Sequence, residues 1–280
     1  EPPLFSVQDT PGKGRGLVAA RDIPLGTRIL AEKPLLMSGM PNVALFERDL
    51  IRQVNALSSV ERAQFLALHD NFPDEIGYSG IFKTNGIPCG EDSNIGAVYP
   101  TISLINHSCL PNTFYCWNFT TEKETVHAIR PIGAGEEITI TYTAADLSFS
   151  TRQEYFKSSF GFDCKCPLCD LPEEAIKASD DARAKLKILD ELAIRMAKIS
   201  PDRAFRFCYD LYVELHKEFK GYPGGLLSKV YYDAFLLTHA DGDAVRAKIF
   251  AERTHTMRFI CEGTDSKDMM EMVEYVEDPR

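Results

Sequence analysis

Three cysteines within six residues, Cys164-Lys165-Cys166-Pro167-Leu168-Cys169, are the densest reactive feature of the chain. Thiolates at i, i+2 and i+5 can wrap three vertices of a tetrahedron, and a structural zinc needs a fourth ligand. By spacing alone that ligand is Cys109, Cys116 or a more distant thiol. The chain has 8 cysteines in 280 residues. So tight a cluster in a chain of this size reads as metal rather than as a disulfide framework, and implies a reduced, intracellular protein, nuclear or cytoplasmic.

Three further segments carry candidate chemistry. In Asn106-His107-Ser108-Cys109-Leu110-Pro111-Asn112, several polar or reactive side chains follow a strand-like apolar run, residues 102–105. Such groups are costly to bury without partners. Alone, the Asn-His pair reads as a satisfied structural pair. The stretch Gly133-Ala-Gly-Glu-Glu-Ile-Thr-Ile-Thr-Tyr142 is a turn and an alternating strand ending at a tyrosine, which alone reads as packing. Gly12-Lys13-Gly14-Arg15-Gly16-Leu17 is glycine-rich, but a strand rather than a helix follows it, which excludes a dinucleotide fold. Its glycines suit close approach of a ligand to the backbone.

The elements that must hold these residues change character near residue 170. Before it, short strands are expected around Pro24-Leu25-Gly26 (residues 17–23 and 28–32) and at 79–83, 96–99, 112–119, 124–129 and 137–142, with a loop at 86–95. A helical insert interrupts them at 43–70, where Ser58 and Glu61 have capping-box spacing. From Glu173 the apolar period becomes helical. Leu186, Leu189 and Met196 form one stripe, and Phe205, Cys208, Tyr212, Leu215 and Phe219 another. Two more helices are expected at 226–239 and 243–261. The whole reads as α+β.

Composition bounds the function. The chain carries 41 acidic and 31 basic residues, a net charge of −10. That balance argues against direct nucleic-acid binding and fits a basic protein or peptide partner. No apolar run approaches the roughly 20 residues that span a bilayer. The opening Glu1-Pro2-Pro3-Leu4 lacks a signal-peptide pattern.

Taken in order, these four segments resemble the SET-domain lysine methyltransferases. The glycine loop resembles that family's N-terminal cofactor loop, residues 106–109 its Asn-His-Ser-Cys motif, residues 135–142 its closing strand and residues 164–169 its post-SET zinc segment. Ile29-Leu-Ala-Glu-Lys-Pro-Leu35 and the approach from Tyr99 to Asn106 are similar to the SET-and-MYND (SMYD) type. The MYND finger's cysteines are missing, since no cysteine precedes Cys89. The resemblance implies a SET domain over residues 1–163 with the helical insert, a post-SET zinc segment at 164–172 and an all-α C-terminal domain at 173–280.

It also implies S-adenosylmethionine and zinc as cofactors, and methyl transfer to a lysine of a protein substrate, histone or other. The alternative is a catalytically silent SET scaffold that binds a partner peptide through its C-terminal helices. By resemblance Tyr142 is the catalytic residue, aligning amine and methyl. Lys13, Gly14, Arg15, Asn85, Asn106, His107, Tyr142 and Phe162 are cofactor contacts, and Cys109 joins Cys164, Cys166 and Cys169 as the fourth zinc ligand. Phe160 stands where several SMYD-type proteins carry a second active-site tyrosine. Cys89, Cys208 and Cys261 read as buried apolar thiols, and the chain as a monomer.

Overall fold

The computed structural model describes residues 2–39, 43–90 and 93–278. Glu1, and Glu91 and Asp92 of the expected 86–95 loop, lie outside the described residues. Strands β1 (Phe5–Thr10) and β2 (Gly14–Ala19) form an antiparallel hairpin that pairs Asp9 with Arg15 and Thr10 with Gly14. Gly12 (φ 74°) and Gly14 (φ 72°) take the left-handed backbone that the turn needs. Strand β3 (Arg28–Glu32) follows the Pro24-Leu25-Gly26 turn as expected, and β4 (Leu36–Ser38) leads into the insert.

The insert consists of α1 (Val43–Ala56), α2 (Ser59–Leu66) and α3 (Ser79–Asn85). Ser58 and Glu61 make both halves of the expected capping box. Helix α3 corrects the strand expected at 79–83, and its cause is tertiary. The buried Glu47 carboxylate of α1 takes the Tyr78 N–H at 2.9 Å and the Ser79 hydroxyl, supplying acceptors and negative charge at the helix start. Ile81 and Phe82 then pack into one core with Leu50, Val54 and Phe65.

Strands β5 (Ile87–Pro88) and β6 (Gly96–Val98) pair with β4 in a three-stranded sheet, order β4-β6-β5. The apolar run before Asn106, expected as strand, is a 3-10 turn over Ile102–Leu104. Its sharp turn buries Ile102 and leads into β7 (Asn106–His107). Strands β8 (Thr113–Asn118) and β9 (Lys123–Ala128) form a hairpin with β3 on its other edge, and β10 (Glu137–Ile140) completes the strands.

The site depends on one register. In the sheet of order β1-β2-β10-β7, β10 runs parallel to β7 with Thr139 opposite Asn106 and Ile140 opposite His107. This brings the Asn-His-Ser-Cys segment beside the strand that leads to Tyr142. Leu17, Ile102, Val126 and Ile138 lie fully buried beneath it.

Helix α4 (Phe149–Phe160), unforeseen in the strand-rich reading of this region, follows β10 and ends at Gly161 in the left-handed conformation (φ 72°). The expected helical tail is present as α5 (Glu173–Met196), α6 (Pro201–Glu218), α7 (Gly225–Ala240) and α8 (Ala244–Glu262), with a further helix α9 (Lys267–Glu277). The turn after α8 docks onto β3 and β9. Arg28 holds the Asp265 carboxylate through two nitrogens, and its Nε donates to His127 Nε2 at 3.0 Å. Burial, aided by the Arg28 charge, pushes the His127 imidazole down to about 4, so it stays neutral and accepts. Gly263 is required here: a Cβ would meet Arg28 Nη2 at 2.3 Å.

Candidate functional site

The four thiols of Cys109, Cys164, Cys166 and Cys169 all lie within 4.8 Å of one another, and all four residues are buried. A zinc with four sulfurs at about 2.3 Å has sulfur–sulfur edges of about 3.8 Å. Cys109 Sγ and Cys169 Sγ are 3.6 Å apart. The donor set and its size therefore fit a closed tetrathiolate site, which leaves no open position for chemistry. Cys116 sits apart on β8, its thiol facing the Trp117 carbonyl. Burial raises the Cys208 thiol to about 12 and moves the Cys261 and Cys89 thiols upward as well, in keeping with inert packing residues.

Outer contacts hold the ligands in place. The Cys109 N–H points at Cys166 Sγ (3.4 Å). Gln153 of α4 donates to the Cys164 carbonyl at 2.8 Å and accepts its N–H at 2.7 Å, clamping the loop onto the helix. His107 Nε2 lies 3.2 Å from Cys109 Sγ, and His107 Nδ1 accepts the Tyr142 N–H at 3.1 Å. Since Nδ1 accepts, the proton sits on Nε2 and faces the thiolate. Burial pushes this imidazole down to about 3. His107 thus joins the sulfur cluster to Tyr142 by two hydrogen bonds.

Tyr142, half-buried, donates its hydroxyl to the Ile105 carbonyl at 2.6 Å. Burial, with the Glu137 charge, moves the phenol well above its usual range, so it remains protonated and cannot serve as a base near neutral pH. Its ring is 5.1 Å from Phe160 and 5.3 Å from His107. Phe162 stacks on Phe156 at 5.2 Å, and Phe156 is 4.3 Å from His107. The phenylalanines before Cys164 are therefore part of one aromatic wall with the histidine.

Tyr142 also lines a cavity of about 430 Å³ with Tyr115, Tyr155, Leu147, Thr143 and Ala144. Tyr115 and Tyr155 were missed in the sequence. A strand's period of two would have placed Tyr115 on the face of Thr113, whose hydroxyl reaches the Thr139 carbonyl on β10. Tyr155 belongs to a helical stripe with Arg152 and Phe156 that becomes visible only once α4 is recognised.

A second cluster lies on the other side of the sheet's site edge. Asn106 Nδ2 is within 2.9 Å of Glu137 Oε1, 3.1 Å of Thr10 Oγ1 and 3.2 Å of the Arg15 carbonyl. Lys13 Nζ lies 2.6 Å from the other Glu137 oxygen. Glu137 is thus an unforeseen member that holds the glycine loop and Asn106 together. Gly14 faces open space, while a Cβ on Gly16 would lie 2.6 Å from Asn106 Nδ2. Gly16 therefore admits a side chain of the protein itself, and the room for a ligand is at Gly12 and Gly14.

Arg15 and Asn85 meet this region through residues 67–69. The Arg15 guanidinium donates to the Ala67 carbonyl, and Asn85 Nδ2 donates to the carbonyls of His69 and Ile81, each at 2.7 Å. Asn85 has committed both amide protons to the backbone, and its Oδ1 meets no partner among the described residues. Asn106 meets the Arg15 backbone directly and Lys13 through Glu137, while His107 lies in the thiol–Tyr142 cluster; Asn85 joins through the insert and Phe162 through Phe156.

A larger cleft of about 780 Å³ runs between the insert and the β4-β6-β5 sheet, lined by Phe46, Phe82, Lys83 and Ile95 among others. It contains none of these residues except by proximity of α3. No helix among the described residues is long and apolar enough to cross a membrane.

Comparison with known proteins places the chain in a family. A sequence-family model of the SET domain matches residues 14–143. The chain is 34% identical over its full length to histone-lysine N-methyltransferase set5 of Schizosaccharomyces pombe, covering 86% of that protein. It is 28% identical over 60% of its length to human N-lysine methyltransferase SMYD2, of which it spans 41%. Over 30% of its length it is 39% identical to a SET and MYND domain-containing protein of Dictyostelium discoideum, covering 20% of that protein.

Proposed function

The chain belongs to the SET-domain lysine methyltransferase family, and from that premise we propose that it transfers the methyl group of S-adenosylmethionine to the ε-amine of a lysine in a histone or another lysine-rich protein. When bound, that cofactor supplies an electrophilic sulfonium methyl. The observation that carries the reading is Tyr142, which lines the 430 Å³ cavity while its backbone is tied through His107 to the segment bearing Asn106.

The residues divide the work. Lys13 and the open backbone at Gly12 and Gly14 suit a carboxylate, and Asn106 a polar group beside it. Phe162, backed by the fully buried Phe156, offers a flat apolar face for a base. The cavity sets three tyrosines and Thr143 beside Ala144 and Leu147, so rings and methyl groups flank the lysine stem while hydroxyls meet the amine, whose proton leaves to solvent before transfer. Tyr142 keeps a hydroxyl oxygen with lone pairs at the junction, oriented by its bond to Ile105, to align the amine and the methyl group. Cys109, Cys164, Cys166 and Cys169 would hold a structural zinc with no part in the bond changes.

Set5's name supports histone as the substrate class, and the net charge of −10 suits a basic partner. Incubating the full chain with labelled S-adenosylmethionine and core histones, followed by mass spectrometry, tests the reading. Label on lysine side chains is the expected result. Cofactor binding without label on histones or on a whole proteome would favour the silent scaffold instead.

A further inference from the structure

The wall of the Tyr142 cavity is held by two buried arginines. Residues 143–148 join β10 to α4 outside any strand or helix, and supply Thr143, Ala144 and Leu147 to the cavity. With no ladder to satisfy it, this backbone must find side-chain partners. The Ala145 carbonyl accepts Arg183 Nη1 at 2.8 Å, and the Leu147 carbonyl accepts Arg152 Nη1. The Phe149 N–H donates to Asp180 at 2.7 Å. Both arginines are only 1% exposed.

Each guanidinium also reaches the cysteine cluster. Arg183 Nη2 donates to the Cys109 carbonyl at 3.1 Å, and Arg152 Nη2 lies 3.9 Å from Cys169 Sγ. Arg183 is fixed from behind. Its Nε donates to Glu218 Oε1 at 2.6 Å, the same oxygen accepts the Ser179 hydroxyl at 2.6 Å, and the guanidinium lies over the Phe219 ring at 5.2 Å. Arg183 and Glu218 belong to α5 and α6, the first pair of tail helices.

A buried ion pair is a poor source of stability, because desolvation offsets its attraction. What a guanidinium bound in three directions does supply is fixed geometry, which a lysine's single ammonium cannot reproduce. We propose that Arg183 is a positioning residue for methyl transfer: through its fork the docked tail holds the Ala145 carbonyl, and with it the segment that supplies Thr143, Ala144 and Leu147 to the cavity, relative to the Cys109 backbone. This rests on the methyltransferase reading above. It gives the tail a task at the active site that needs no contact with substrate.

The test uses the full chain with Arg183→Lys, which keeps the charge, and Glu218→Gln, which touches neither wall nor cluster. Zinc per chain and cofactor affinity should match the parent protein. Amide exchange in residues 144–149 should rise about tenfold or more while residues 137–140 stay protected. For a lysine peptide, kcat should fall roughly tenfold in Arg183→Lys, since small misplacements are costly in an aligned displacement, and less in Glu218→Gln. Loss of zinc, or a lowered Tm with unchanged kcat and KM, would make Arg183 merely structural and overturn the proposal. Unchanged exchange, or raised exchange with normal turnover, would overturn it too. Exchange needs no turnover, so a parent protein that transfers no methyl group fails the activity reading while the clamp is still judged.

Discussion

His107 accepts the backbone N–H of Tyr142 at 3.1 Å, across the parallel pairing of β7 and β10. The same ring presents its other nitrogen to Cys109 Sγ at 3.2 Å. Cys109 of the thiol cluster, His107 and the cavity tyrosine are therefore consecutive members of one hydrogen-bonded chain.

The end of that chain gives the first prediction. Tyr142→Phe removes the hydroxyl that donates to Ile105 and leaves the ring contacts with Phe160 and His107 in place. Cofactor binding should be retained, and methyl transfer should drop by roughly 10²-fold, the cost of losing alignment at the reacting atoms. Calorimetry and single-turnover transfer measure the two separately; near-normal transfer would show that Tyr142 is only a packing residue.

At the other end, Cys166→Ser should lower bound zinc below one per chain by elemental analysis and weaken cofactor affinity. The weakening follows from geometry: Cys109 is covalently close to Asn106, and Phe162 stands just before Cys164. A chelated protein that binds cofactor normally would break the link between metal and pocket.

Gly16→Ala tests the glycine loop. The added Cβ would sit 2.6 Å from Asn106 Nδ2 and 2.7 Å from Thr10 Oγ1, so Asn106 must leave its bonds to Arg15 and Glu137. Losing these two partly exposed bonds, at about 0.5–1.5 kcal/mol each, costs about 1–3 kcal/mol, or roughly a 5- to 150-fold rise in cofactor Kd if the bound form needs them. Gly133→Ala, whose Cβ meets nothing and whose backbone is not in the left-handed region, serves as the comparison.

A pH prediction comes from Glu124 on β9. It is fully buried, takes the Tyr99 hydroxyl at 3.1 Å on Oε2, and its Oε1 finds no partner among the described residues. Burial pushes its carboxyl up to about 8. The folded protein thus holds this proton more tightly than the unfolded chain, whose glutamates titrate near 4.3. The sign follows from linkage: its contribution to stability is complete below about pH 4.3 and is lost as pH rises through about 8. At about 1.4 kcal/mol per pH unit of difference, the loss is at most about 5 kcal/mol. Glu124→Gln should flatten denaturant midpoints between pH 5 and 8 and stabilise the protein at the upper end; an unchanged profile would place the titration elsewhere.

Charge should also govern encounter. With 41 acidic against 31 basic residues, KM for a basic peptide should rise with salt as the Debye length falls from about 10 Å at 0.1 M to about 3 Å at 1 M. A flat response would assign the acidity to solubility alone.

Local spacing determined what local physics controls. The Ser58–Glu61 box, the strands at β3 and β9, the helices of the tail and the three clustered thiols each depend on residues a few positions apart, so their side chains declare them. Motif resemblance added Cys109, Asn106, His107 and Tyr142 as one site; the structure links Cys109, His107 and Tyr142 by hydrogen bonds and sets Asn106 in a separate cluster with Thr10, Arg15 and Glu137. Tertiary structure decided the rest. Residues 79–85 became helix because Glu47, more than thirty positions earlier, supplies the acceptors its first turn lacks. Tyr115 and Tyr155 meet at Tyr142 only because β8 and α4 converge there. Arg183 reads in sequence as one more charge on a solvated helix, yet it is buried, since α6 brings Glu218 behind it and β10 brings the Ala145 carbonyl in front. Burial of such a charge requires partners from distant segments, and no local pattern can announce which segments will provide them.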